Sequence, residues 1–372
     1  MNIAIFQPYS ILKPGGVQDH VRSQAEQLRK NGHSVTILTP RPRKYSGEAP
    51  ENTIFTGVSA RVRAADSSPD VSTTMDQQEV DALYSQNHFD VVHFHEPVVP
   101  FVGRQLIAQC PYPVVATLHA AMPENTVGRT LGSIKPYFRS VLQHVDVLTR
   151  VSIAAGEYLE EVISDVETYY VPNGIELKEF KDKNNISRQE QTILYIGRFE
   201  KRKGPKYLVK AFSILQAKYP NARLILAGDG HDRSSLEELI AELGLRNVEL
   251  PGYIDTEYKK ELLATSTVAC YPALYGESFG IVLLEALASG IPIVAGRNPG
   301  YESVLKEIGG LSLVDVKDVA EFAHRLELFL DNPSIRDFYA KWGKEYVKQF
   351  DYAQIVSTYE KIYGAAIKKH SS

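Results

Sequence analysis

The chain has 372 residues, 44% hydrophobic and 23% charged, with 41 Lys+Arg against 45 Asp+Glu. That length holds roughly two domains of about 150 residues, and the composition excludes disordered, collagen-like and disulfide-scaffold classes. A formal charge of −4 gives nucleic acid no footing, and two distant cysteines, Cys110 and Cys270, match no metal-ligand spacing, so a reduced, cytoplasmic setting is expected.

In chain order, Asn2 to Phe6 reads as a first strand, cut short by Pro8 and lacking the basic-then-apolar pattern of a signal peptide. No apolar run approaches the ~18 residues of a spanning helix. The loop Pro14-Gly15-Gly16-Val17 leads into a helix near Gln18 to Asn31, with Val21, Ala25 and Leu28 on one stripe. Strands follow at Val35 to Leu38, Asp90 to Phe94 and Val114 to Leu118, while Ser46 to Thr74 is polar and carries no assignment. Tyr169 to Pro172 runs into a Pro172-Asn173-Gly174 turn, and the charged stretch Lys178 to Gln191 marks the junction with a second series. That series reads strand Thr192 to Ile196, helix Tyr207 to Lys218, strand Arg223 to Ala227, helix Ser234 to Leu243, strand Thr267 to Tyr271, helix Gly280 to Ser289 and strand Ile291 to Ala295. Strands alternating with helices indicate an α/β chain of two Rossmann-like domains facing a central cleft, placed at 1–175 and 176–351.

The most informative segment is Tyr275-Gly276-Glu277-Ser278-Phe279-Gly280 with the apolar helix after it. Unpaired N–H groups and the helix dipole make such a start a phosphate site. Glu277 is placed to accept from sugar hydroxyls, and Glu285, inside an apolar helix, needs a hydroxyl or a cation. The plain alternative is that Glu277 favours the dipole and Glu285 reaches water. In Gly197-Arg198-Phe199-Glu200-Lys201-Arg202-Lys203-Gly204, Arg198 and Lys203 are spaced to bracket a diphosphate; the alternative is a solvated basic loop. The diglycine at Gly15 and Gly16 is either a ligand loop or a tight turn, and His119, ending a strand, either faces a ligand or is structural. His93 and His95 share a strand face beside Glu96, but no third ligand stands at a recognisable spacing, so no metal site is expected.

Together these motifs resemble the retaining glycosyltransferases of family 4, which have the GT-B fold. The carriers are Pro14-Gly15-Gly16-Val17, His93-Phe94-His95-Glu96-Pro97, Thr117-Leu118-His119, Pro172-Asn173-Gly174, Gly197-Arg198-Phe199 with Lys203-Gly204, and Glu277 with Glu285. Within the family the chain looks most like bacterial phosphatidylinositol mannosyltransferases, through Pro8-Tyr9-Ser10, Gln18, His20 and Gly276 to Leu283.

The resemblance implies a hexosyltransferase, with mannose favoured, using a GDP- or UDP-linked sugar as substrate and no cofactor. His119, Arg198, Lys203 and Glu277 would be catalytic. Gly15, Gly16, Gly228, Ile254, Ser278, Phe279, Gly280, Ile281, Val282 and Glu285 would bind the donor, and Tyr9, Gln18 and His20 the acceptor. The acceptor implied is a membrane lipid or lipid-linked glycan, met by a cytoplasmic protein peripheral to the inner face of the membrane. The C-terminal helix, 352–370, would pack back on the first domain, and the cleft would close on the donor.

Two departures stand against inositol phospholipid itself. Leu12 occupies a position that is acidic in that subfamily, and Asp76-Gln77-Gln78-Glu79-Val80-Asp81 is acidic where the subfamily is basic. A UDP-hexose transferase with a soluble sugar or glycan acceptor, and an inactive nucleotide-sugar binding protein, are the other readings. No Asp-x-Asp metal motif or pyridoxal-type lysine motif is evident.

Overall fold

The computed structural model describes residues 1–13, 15–61, 70–72, 74–121, 135–163, 166–180 and 191–371. Pro14 and most of the charged stretch from Lys178 to Gln191 therefore lie outside the described residues. The chain divides into two compact units: unit 1, Met1–Gly174 with Tyr352–Ser372, and unit 2, Ile175–Asp351.

Unit 1 is built on β1 (Asn2–Phe6), β2 (Ser34–Arg41), β3 (Thr53–Arg61), β4 (Asp70–Ser72), β5 (Val91–His95), β6 (Val114–Leu118), β7 (Val147–Arg150) and β8 (Thr168–Tyr170). They pair in the order β4-β3-β2-β1-β5-β6-β7-β8, and only β3–β4 is antiparallel. The central strands are apolar and buried on both faces, as a parallel sheet covered on both sides requires. The period of two sorts them: Ala4, Phe6, Val92, Phe94, Ala116 and Leu118 face one core, and Ile3, Ile5, Val91 and Val115 face the other.

The second core is closed by α1 (Gly16–Lys30), through Val21, Ala25 and Leu28. α2 (Gln77–Gln86) explains two of the acids noted above. Asp76 caps it, accepting from the Gln78 N–H at 3.1 Å, while Glu79 accepts from the Asp76 N–H at 3.0 Å, a reciprocal capping box. The unassigned stretch Ser46 to Thr74 holds β3 and β4. In β3, Thr53 and Gly57 are half-buried while Thr56 and Ser59 are buried among Ile54, Phe55 and Val58, and the β2–β3 register shifts around Gly57, so hydrophobic alternation is weak there.

Unit 2 has β9 (Thr192–Ile196), β10 (Arg223–Ala227), β11 (Val248–Gly252), β12 (Val268–Tyr271), β13 (Ile293–Gly296) and β14 (Leu313–Val314), all parallel, in the order β11-β10-β9-β12-β13-β14. Its helices include α3 (Pro205–Lys218) and α4 (Ile281–Ala288). The last helix, α5 (Tyr352–His370), belongs to unit 1, where Ile355, Val356, Tyr359, Ile362, Tyr363 and Ala366 join the core beside α1. Several fully buried side chains at about 1.5–3 kcal/mol each hold it there.

Strand order reverses direction between β1 and β5 in unit 1, and between β9 and β12 in unit 2. Ligands of open α/β sheets bind outside the carboxyl ends of the strands at such switch points. Every motif singled out above that follows β1, β5, β9 or β12 sits at one of them.

Candidate active site

At the switch point of unit 2, the loop after β9 meets the loop after β12. The Leu274 N–H donates to the Arg202 carbonyl at 2.8 Å, tying the two together. Lys201–Lys203 forms a single 3₁₀ turn, and this turn decides which cations face inward. The Glu277 carboxylate, 9% exposed, is paired with Lys203 Nζ at 2.7 Å and with an Arg202 terminal nitrogen at 3.0 Å. Arg202 also reaches Glu200 at 3.0 Å, and Arg198 touches Glu200 at 3.4 Å while its side chain stays 66% exposed. Lys203 and Arg202 therefore share the Glu277 carboxylate, so Lys203 does not stand opposite Arg198 as an unpaired cation. Three cations against two carboxylates leave a net charge of +1. Removing one partner of so buried a carboxylate costs about 3–5 kcal/mol.

Glycine is required by close approach at two positions here. Gly228 has φ 147°, and a Cβ on it would lie 1.9 Å from the Gly197 carbonyl, so the turns after β9 and β10 close only without a side chain. Gly280, at φ 96°, caps α4 with no side-chain bond and packs under Tyr301, where a Cβ would come within 2.5 Å of the ring. Ile281 and Val282 then present the first-turn N–H groups of α4, with Ser278 half-buried just before it. Phe279 is buried against Phe350, with ring centroids 6.0 Å apart, and so shapes the turn from inside. Glu285 finds its cation in Lys259, at 2.5 Å. Ile254 is half-buried after β11, beside the exposed Tyr253.

The switch point of unit 1 has a different chemistry. His93 and His95 of β5, His119 after β6 and His20 of α1 are all buried. His93 binds the Tyr363 hydroxyl at 2.8 Å and the Thr117 hydroxyl at 2.6 Å, and Gln24 donates to the Tyr363 oxygen at 3.1 Å. His95 Nδ1 and His119 Nε2 share a proton at 2.7 Å, and the Tyr352 hydroxyl lies 3.3 Å from His20 Nδ1. Burial pushes His20 down to about 4; burial and then the neighbouring His20 push His93 down to about 3. Burial first, then the adjacent imidazoles, hold His95 and His119 well below the usual range. All four are neutral at pH 7.

Among the described residues, Glu96 is the carboxyl that lies beside these imidazoles. It accepts from the His119 backbone N–H at 2.8 Å, and burial pushes it up to about 7 despite that bond and one from Ala120. Tyr9 is half-buried with its phenol raised by burial and by Glu96, and its carbonyl accepts from Thr39 at 3.0 Å. Gly15 and the exposed Gly16 open α1, and the Gln18 side chain folds over Gly15. Both amide atoms of the buried Gln7 and the Nε2 atoms of His20 and His95 have no hydrogen-bond partner among the described residues. Unmet buried polar groups cost about 1–3 kcal/mol each, so a polar partner at these atoms would relieve that cost.

Each unit therefore gathers its own set of the expected residues: Arg198, Lys203, Glu277, Glu285 and the α4 start in unit 2, and Tyr9, Gln18, His20 and His119 in unit 1. Sequence reasoning missed Arg202, which a run of three basic residues does not distinguish, and Lys259, which no motif marks. It named His20 and His119 but did not bring them beside His93 and His95. His20 and His119 lie on separate elements, and only the sheet order brings them to β5.

Comparison with known proteins adds the family context. Residues 14–179 match the family described as Glycosyltransferase Family 4, and residues 177–348 match Glycosyl transferases group 1. The chain is 31% identical to the phosphatidyl-myo-inositol mannosyltransferase of Mycolicibacterium smegmatis, over 99% of this chain and 96% of that protein. Sucrose-phosphate synthase from Thermosynechococcus elongatus superposes with a TM-score of 0.76 at 22% identity, covering 98% of this chain and 99% of that one. Anabaena HepE, solved with UDP and glucose, also gives 0.76, at 17% identity over 98% and 100%. The two superpositions establish the fold.

Proposed function

The chain belongs to the family 4 glycosyltransferases, and from that premise we propose that it transfers mannose from GDP-mannose, with retention and without a catalytic metal, to a lipid or lipid-linked glycan. The observation that carries the donor part is the Lys203–Glu277–Arg202 ion network at the switch point of unit 2. A diphosphate entering there takes over Lys203 and the exposed Arg198, and the α4 N–H groups of Ile281 and Val282 add donors. Charge that builds on the leaving diphosphate is then met by groups already in place. Glu277, relieved of Lys203, accepts from the sugar hydroxyls, and Glu285 with Lys259 takes the ribose.

Retention follows the family likeness. Glu277 keeps Arg202 as a cationic partner, which lowers its nucleophilicity and disfavours a covalent glycosyl-carboxylate of the glycosidase type. In unit 1, His119 is assigned to the transferred sugar, and Tyr9, Gln18 and His20 to the acceptor. Neutral imidazoles and a raised carboxyl suit hydroxyls, which need donors and acceptors rather than charge.

The relative named above acts on phosphatidyl-myo-inositol. Here Leu12 is exposed where that subfamily is acidic, and α2 carries acidic residues at its start. A lipid or lipid-linked glycan other than phosphatidylinositol fits better, met peripherally, since no described helix is long and apolar enough to cross a membrane. The same acidic helix favours the second reading, a UDP-hexose donor with a soluble acceptor.

A thermal-shift panel of GDP, UDP, ADP and their sugar conjugates, with and without EDTA, tests the proposal. GDP and GDP-mannose at 100 times the dissociation constant should stabilise the protein by about 2.7 kcal/mol, unchanged by EDTA. Stabilisation by UDP conjugates alone moves the assignment to the second reading, and silence from every nucleotide overturns both.

A further inference from the structure

We propose that His20, His95 and His119 form a binding site for one divalent cation of the zinc class. One nitrogen of each ring lies within 4.8 Å of a nitrogen of the other two, and all three rings are buried. They come from α1, the end of β5 and the loop after β6, so the sheet itself holds them together.

A second, independent observation points to a ligand. Nε2 of the buried His20, whose Nδ1 faces the Tyr352 hydroxyl, has no partner among the described residues. His95 Nδ1 and His119 Nε2, meanwhile, compete for one proton at 2.7 Å. A cation taking the place of that proton satisfies both lone pairs once the rings part to about 3.3 Å, the spacing that Zn–N bonds of ~2.0–2.1 Å impose in a tetrahedron.

The donor set selects the metal. Three imidazoles with no carboxylate or carbonyl suit zinc, copper and nickel, not magnesium, calcium or manganese, which take oxygen. Outer groups are in place: the Tyr352 hydroxyl steadies His20, the Asn173 side chain reaches His119, and the Glu96 carboxyl fixes the start of the loop after β6 by accepting from the His119 backbone N–H. Three protein ligands leave a fourth position for water. On the reading of His119 given above, a cation here removes that imidazole from the sugar, so occupancy slows transfer that otherwise needs no metal.

Titrating the metal-free full chain with Co²⁺ tests the site without relying on activity. The expected result is one equivalent giving the visible absorption of tetrahedral nitrogen-bound cobalt, displaced by one equivalent of Zn²⁺. His20→Asn and His95→Asn should each weaken binding at least tenfold, while His324→Asn, at an exposed position, should not. Circular dichroism and a cooperative thermal unfolding transition verify that the variants are folded. No tetrahedral spectrum in the wild type, or binding unchanged in both folded variants, overturns the proposal. A cobalt spectrum without nucleotide binding would sink the donor assignment and leave this site standing.

Discussion

At the switch point of unit 2 five charged side chains, Arg198, Glu200, Arg202, Lys203 and Glu277, pair with one another around a nearly buried carboxylate. At that of unit 1 four imidazoles stand buried and neutral beside one carboxyl that is itself pushed toward protonation. The same sheet geometry thus carries two opposite electrostatic designs. Ions survive in unit 2 because each has a partner and Arg198 has water. In unit 1 the imidazoles are buried against one another and the adjacent Glu96 is itself pushed toward protonation, so they give up their protons instead. A site for a diphosphate must keep charge in reserve, whereas a site for hydroxyls needs neutral groups with unmet hydrogen bonds.

The sharpest way to break this contrast is to remove the charge of unit 2 alone. Lys203→Ala should lower transfer by about 10²–10³-fold, the effect of losing one preorganised donor to a leaving group. A steady-state assay showing less than a tenfold loss would remove Lys203 from the site. Gly228→Ala tests the backbone beneath: its Cβ would overlap the Gly197 carbonyl, so unfolding of unit 2 should come earlier by about 3 kcal/mol or more. Denaturant titration reads this directly.

The neutral cluster makes its own prediction, in pH, for the metal-free protein. His20 and His93 have folded values of about 4 and 3, below the usual 6.5, so the unfolded chain binds more protons between them. Stability is therefore full above pH 6.5 and falls as pH drops toward 4, by a few kcal/mol in all. Glu96, raised to about 7 from 4.5, has the opposite slope, losing stability as pH rises from 4.5 to 7. Four imidazoles outweigh one carboxyl, so the melting temperature should fall on acidification, and less so in His20→Asn. A flat profile from pH 7 to 4 would contradict the neutral cluster. The smallest effect is Tyr363→Phe, which removes the hydroxyl shared by His93 and Gln24 and should cost about 1 kcal/mol in the same denaturant measurement.

Much of the fold was legible because the central strands are short apolar runs ended by glycine or polar turns. Asn2–Phe6, Val114–Leu118, Thr192–Ile196 and Arg223–Ala227 match their expected bounds residue for residue. α1 and α3 begin two residues earlier than expected, at Gly16 and Pro205, because neither start carries a side-chain cap to mark it. β3 and β4 escaped notice since Thr56 and Ser59 are buried among Ile54, Phe55 and Val58 and the register shifts around Gly57, which breaks the alternation a strand is read from. The candidate site was legible where one segment carries it, as in Gly276 to Glu285. Contacts between distant segments were not: Arg202 meets Glu277 only through a 3₁₀ turn, Lys259 meets Glu285 across two elements, and His20 joins His95 through strand order.

The central claim, that the paired charges of unit 2 are a diphosphate site, is tested most directly by calorimetric titration of GDP and of guanosine into the wild type and Lys203→Ala. The account predicts that GDP binds the wild type at least 100-fold more tightly than guanosine, and that the variant loses most of that gap while guanosine binding is unchanged. Equal affinities for GDP and guanosine in the wild type, or a gap that survives in the variant, would contradict it.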